Sequence, residues 1–147
     1  VQREDGGVNR NPNKENVMPF VHVIIAGKSI EPEARRRLQQ ETTVLMNTIM
    51  RKRREVTAVL VEEVDLSGWT VGGEPLEVAA HVEANVTLGT NTAEEKKRFI
   101  EAMDALLKQS LGEIPPATYV IVREVEADAW GFGGVTQEYR RTNAMTA

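Results

Sequence analysis

The chain holds 147 residues with a formal net charge of -4, which fits one domain that buries roughly 70% of the surface its unfolded chain exposes. It has no cysteine, so disulfides, thiolate metal sites and a cysteine nucleophile are excluded. The longest apolar runs, such as FVHVIIAG, are far too short to span a bilayer, the acidic balance argues against broad nucleic-acid affinity, and the start VQREDGGVNRNPNKEN is too polar for a signal peptide. The expectation is a soluble cytoplasmic protein with neither a nucleic acid nor a membrane as partner.

Residues 1–17 are rich in Asn, Gly and charge and read as a polar N-terminal extension. The apolar, β-branched run from Phe20 to Ala26 predicts a strand that Gly27 ends. Pro32 suits the first turn of a helix, and Ala34, Leu38, Leu45 and Ile49 recur at helical spacing, which predicts a helix from 32 to about 52. The run RKRR at 51–54 then falls at a helix end, where cations favour the negative pole of the dipole, and reads as a solvated terminus rather than a phosphate patch. A second strand is predicted from Val56 to Val64, and DLSGWTVGGEP breaks regular structure.

The same order recurs. LEVAAHVEANVTLG (76–89) predicts a strand, and Thr92 with Glu95 forms a capping box for a helix carrying Phe99, Met103, Leu106 and Leu107 on one face. TYVIVREV follows as a strand, and residues 138–147 read as a C-terminal tail. TAVLVEEVDLSGWTVGG (57–73) matches TYVIVREVEADAWGFGG (118–134) without gaps, and both end in W-x-x-G-G. Upstream, Gly27 aligns with Gly89 after a one-residue adjustment, which sets His81 opposite Pro19 and Thr90 opposite Lys28. The chain therefore reads as a tandem duplication: a first β-α-β repeat over 18–75 and a second over 76–137, together one domain. The expected fold is α+β (α/β), a four-stranded sheet with two helices on one face. The other face is left needing cover, and oligomerisation would supply it.

A short β-α-β unit, Pro19 directly after Met18, Gly27-Lys28 after the first strand and an aromatic-x-x-Gly-Gly hairpin together resemble the tautomerase superfamily. In its tandem form the chain is similar to fused 4-oxalocrotonate tautomerases. The resemblance implies a homotrimer acting on a small-molecule substrate without a cofactor, with an amino-terminal proline as general base. The chemistry has an independent rationale: a terminal amine has a pKa near 8, and an apolar pocket lowers it toward neutrality. An amide nitrogen has no such basicity, so Pro19 serves only if Met18 and everything before it are absent. The expectation is translation from Met18 followed by its removal. The alternative is a proline that merely starts a strand, in a non-catalytic trimer.

Lys28 stands where the resemblance implies a carboxylate-binding arginine, keeping the charge but losing the bidentate fork. The family's second arginine falls on Ala58 and Tyr119, which argues against a dicarboxylic substrate. Trp69 and Trp130 take the hairpin's aromatic position, implied to form an apolar wall beside the proline. Glu63 and Glu124 match each other in the repeat and, as strand-end glutamates, read as solvated or paired with a neighbouring cation rather than as an acid/base pair. His22 and His81 lack the partners of a metal site. A hydrolytic dehalogenase or hydratase of the same superfamily is a remote alternative, because its substrate-binding arginines fall on Thr87 and Thr90 and its water-activating glutamate on Phe132.

Overall fold

A computed structural model describes residues 18–146, so the predicted extension 1–17 lies outside the described residues. Strand β1 (Phe20–Gly27) leads into helix α1 (Pro32–Thr48) and strand β2 (Ala58–Glu63). A short hairpin of β3 (Thr70–Val71) and β4 (Glu74–Pro75) separates these from β5 (Val78–Thr87). Helix α2 (Ala93–Leu111), β6 (Tyr119–Val125) and a second hairpin of β7 (Gly131–Phe132) and β8 (Val135–Thr136) repeat the pattern. The tandem β-α-β organisation read from the sequence is the fold.

The four long strands form one sheet in the order β2-β1-β5-β6. Each repeat contributes a parallel pair, and the two pairs meet where β1 runs antiparallel to β5. Alternation fixes which side is the core. Val21, Val23, Ile25, Val82, Ala84 and Val86 are fully buried against Leu38 and Met46 of α1 and Phe99, Met103 and Leu107 of α2. Both helices therefore cover one face, and the Thr42 hydroxyl joins them by donating to Met103 Sδ at 3.6 Å. α2 starts on the predicted capping box, in which Thr92 Oγ1 accepts from Glu95 N–H at 3.1 Å and Glu95 Oε1 accepts from Thr92 N–H at 3.0 Å.

The register corrects the predicted alignment of the two repeats. The pair Phe20↔Ala58 recurs 61 residues later as His81↔Tyr119, and Ile25↔Glu63 recurs as Val86↔Glu124. The helices keep that spacing, since Pro32 opens α1 and Ala93 opens α2. No one-residue adjustment exists: the counterpart of Pro19 is Ala80 rather than His81, and that of Lys28 is Gly89 rather than Thr90. Pleat parity is the reason. An even spacing would match fully buried Val82 with exposed Phe20 and turn one core face outward.

Two boundaries also differ from expectation. α1 stops at Thr48, short of residue 52, and Arg51 takes a left-handed φ of 61° where the second repeat has Gly112 at 85°. Residues 138–146 of the predicted tail instead lie in helix α3 (Gln137–Thr146). α3 is tied to the second hairpin: Gln137 N–H donates to Trp130 O at 2.7 Å, and the Arg140 guanidinium stacks 4.2 Å from the Phe132 ring centre. Among the described residues, no helix is long and apolar enough to cross a membrane.

The face opposite the helices mixes Phe20, Ile24, Leu60, Tyr119 and Ile121 with His22, Glu62, His81, Glu83 and Arg123. Ala26, Ala79 and Thr87 on this face are buried, while Leu60 is 45% and Tyr119 60% exposed. It is thus covered in part and open in part.

Candidate active site

Pro19 continues the inward parity of Val21 and Val23 and is buried. Its carbonyl accepts from Ala58 N–H at 3.2 Å, which seats it as the first rung of the sheet. Its nitrogen is acylated by Met18 in this chain and is not basic. Because β5 runs antiparallel to β1, the turn after Thr87 lies at the Pro19 end of the sheet, together with the end of β6 and Trp130 beyond it. The loop entering β2, with Lys52, belongs to the same end.

Lys28 does not. It follows β1 at the opposite end, about 30 Å from Pro19 at the rise of an extended strand. Its ammonium pairs with Glu77 at 3.1 Å, and both side chains are exposed. Trp69 follows β2 and shares the Lys28 end. Within one chain the predicted site residues therefore divide into Pro19 with Trp130 and Lys28 with Trp69. Within one chain Pro19 and Lys28 do not meet, because they flank the two ends of the same extended strand β1.

A buried cation at the Pro19 end is Lys52, which reading RKRR as a solvated terminus missed. Lys52 is 3% exposed, and its Nζ donates to Thr90 Oγ1 at 2.8 Å. Thr90 Oγ1 in turn donates to Thr87 O at 2.6 Å. Arg51 grips Glu95 with Nε at 2.6 Å and Nη2 at 3.4 Å, and also donates to Thr90 O at 3.0 Å. Burial alone would raise the Glu95 carboxyl, but hydrogen bonds from Arg51, the Thr92 N–H and Asn91 bring it down to about 2. On the far side of the same turn, the Thr87 hydroxyl donates to Gln137 Oε1.

The two repeat-matched glutamates hold cations, Glu63 with Arg35 at 3.1 Å and Glu124 with Lys96 at 3.1 Å. His22 bonds Glu62 at 2.8 Å and His81 bonds Glu83 at 3.0 Å on the open face. The His81 hydrogen bond holds the Glu83 carboxyl below its usual range. Among the described residues, no group of three His, Cys, Asp or Glu side chains is placed to hold a metal ion.

Comparison with known proteins meets this geometry at Pro19. The family described as Tautomerase enzyme matches the chain twice, over residues 19–79 and 81–139. The chain belongs to the tautomerase family. A relative of single-repeat size, "Probable tautomerase K2" of Dickeya dadantii (strain 3937), is 43% identical over 63 residues, covering 43% of this chain and 94% of that protein. Among solved structures, the Q0 fused 4-OT wild-type symmetric trimer superposes with a TM-score of 0.73 at 19% identity, covering 81% of this chain and 96% of that one. Pt0534 inactivated by 2-oxo-3-pentynoate gives a TM-score of 0.75 at 13% identity, covering 82% of this chain and 98% of that one. The macrophage migration inhibitory factor-like protein of Entamoeba histolytica gives 0.69 at 17% identity, with coverage of 81% and 98%. At these identities the likeness is one of fold, and it spans both repeats of this tautomerase chain.

Proposed function

We propose that the chain, when it begins at Pro19, is a cofactor-independent keto-enol tautomerase of a small 2-oxo acid or its enol, with the Pro19 amine as general base. The observation that carries this is that the first family match opens on Pro19, a residue buried at a strand start. Apolar surroundings disfavour the ammonium and bring the amine toward neutrality. In enolisation the free amine takes the proton from the carbon beside the carbonyl. In ketonisation the ammonium returns a proton to that carbon while the enol hydroxyl loses its own. Negative charge on the substrate needs a donor, and Lys52 supplies it at this end. Trp130 contributes an apolar wall. Lys28 and Trp69 reach a Pro19 only if it belongs to another chain. Homotrimeric assembly is supported by the open sheet face and by the trimers formed by fused 4-OT.

A second reading, a non-catalytic trimer, is favoured by the peptide bond between Met18 and Pro19. Protein starting at Pro19 is expected to accelerate ketonisation of phenylenolpyruvate, and Pro19→Ala to lose about a hundredfold or more of that rate. The chain beginning at Val1 is expected to be inactive. Equal turnover by the long and short forms would assign the base to another group, and no turnover by the short form on a panel of enol acids would leave the non-catalytic reading.

A further inference from the structure

Resting on the reading of the Pro19 end as the substrate site, we propose that Gln137 is a substrate-binding residue there. Its carboxamide donates to a neutral oxygen of a singly charged 2-oxo acid whose carboxylate is held by Lys52. Gln137 is 6% exposed, and among the described residues its Nε2 has no hydrogen-bond partner. An unmet buried donor is costly and is retained where a ligand completes it. The group is also fixed in place: Thr87 holds Oε1, and the residue's own N–H is bonded to Trp130 O at 2.7 Å. Thr87 connects through its carbonyl to Thr90 and thence to Lys52. One short turn therefore carries a charged donor on one side and a neutral donor on the other.

The duplication supplies the control. At the constant spacing of 61, the counterparts of Lys52, Thr90, Thr87 and Gln137 are Glu113, Ser29, Ala26 and Leu76. The fold forms at the Lys28 end with an acidic, a small and two apolar residues in these places. The polar set is therefore no requirement of the architecture. It occurs at the end that holds Pro19, whose own counterpart Ala80 lies inside the chain. The other unpartnered buried atoms fit an anion poorly: Asn91 Oδ1 is an acceptor whose amide lies against Glu95, and Ser110 Oγ sits on α2. A second carboxylate on the substrate would meet only a neutral amide at Gln137, so the site favours monocarboxylates.

The test is nitrogen-15 NMR of the side-chain amide of Gln137, identified by its loss in Gln137→Leu, the residue its repeat counterpart carries. Phenylpyruvate is titrated into protein starting at Pro19 and into its Pro19→Ala variant, whose terminal amine is primary rather than the proline's secondary amine. The Gln137 resonances are expected to move to saturation in both, and Kd, followed on backbone amides, to weaken about tenfold in Gln137→Leu, the loss of one neutral hydrogen bond. Saturable shifts without turnover would remove the tautomerase reading and leave the subsite standing. A Gln137 signal unmoved by ligand overturns the proposal. So does one that moves with protein concentration alone, which would make the carboxamide a subunit contact. Gln137→Arg is expected to shift the ratio of Kd values for phenylpyruvate and oxaloacetate about tenfold toward the dicarboxylate; an unchanged ratio rejects the monocarboxylate preference.

Discussion

A buried ammonium is expensive unless its protons are received, whereas an ion pair on the surface contributes little. Lys52 and Lys28 illustrate the two cases. Lys52 is enclosed and bonded to Thr90 at the Pro19 end, while Lys28 and Glu77 are 67% and 81% exposed at the other. Lys52→Met is expected to lower kcat/KM of the Pro19-initiated protein by about a hundredfold, the scale of one lost electrostatic donor. Lys28→Met is expected to change it by less than about threefold. Steady-state kinetics on phenylenolpyruvate, with thermal melts to confirm folding, separate the two. A large loss from Lys28→Met would place Lys28 at the Pro19 of a neighbouring chain. The sequence held one clue to Lys52 that a reading of the charge run passes over: Arg51 occupies the place of Gly112, where the chain turns left-handed, so the next residue leaves the helix axis and turns in toward the sheet.

Secondary elements were legible where local chemistry decides them. The capping box at Thr92, the apolar face of α2 and the W-x-x-G-G hairpins each follow from residues a few positions apart, and each is present. What local chemistry does not encode is how the two repeats meet. The antiparallel junction of β1 with β5 depends on contacts made across the whole chain, and it sets which parts of the second repeat share the Pro19 end: the turn after Thr87, the end of β6 and Trp130. α3 was missed because Gln137–Thr146 is mostly polar and is anchored by Trp130 and Phe132 rather than by an apolar stripe of its own. The α1–β2 connection shows how an element boundary governs stability. Arg51 reaches Glu95 at the start of α2, and the Glu95 carboxyl is held at about 2, well below the ordinary carboxylate value of 4.5. A depressed carboxylate stabilises the fold above its unfolded pKa, and the contribution is lost as pH falls through about 4.5 toward about 2. Discounted for the partial exposure of Arg51, it is on the order of 2 kcal/mol. Glu95→Gln is therefore expected to be less stable at neutral pH and to show a flatter loss of stability between about pH 5 and pH 2. Denaturant midpoints across that range measure it, and an unchanged slope would remove Glu95 from the acid limb.

At the scale of the molecule, a sheet covered by helices on one side must find cover for the other. The outer face is sealed at Ala26, Ala79 and Thr87, while Leu60, Tyr119 and Ile121 and, at the start of β1, Phe20 stand exposed. These apolar groups alternate with His22, His81, Glu62, Glu83 and Arg123, whose mutual hydrogen bonds and ion pairs leave the patch polar enough to be soluble and specific enough to meet a copy of itself. In the proposed homotrimer, three-fold closure would pack three such faces around one axis. The number of sites per chain follows from the termini. Ala80 occupies the place of Pro19 in the second repeat and lies within the chain, so no terminal amine can form there. Sedimentation of the Pro19-initiated protein is expected to give a mass three times that of its chain, with Leu60→Asp dissociating it. A reagent selective for a low-pKa terminal amine is expected to label one site per chain, three per assembly. A stable monomer would show that the open face has another use, and two labelled sites per chain would mean that Pro19 is not the group responsible.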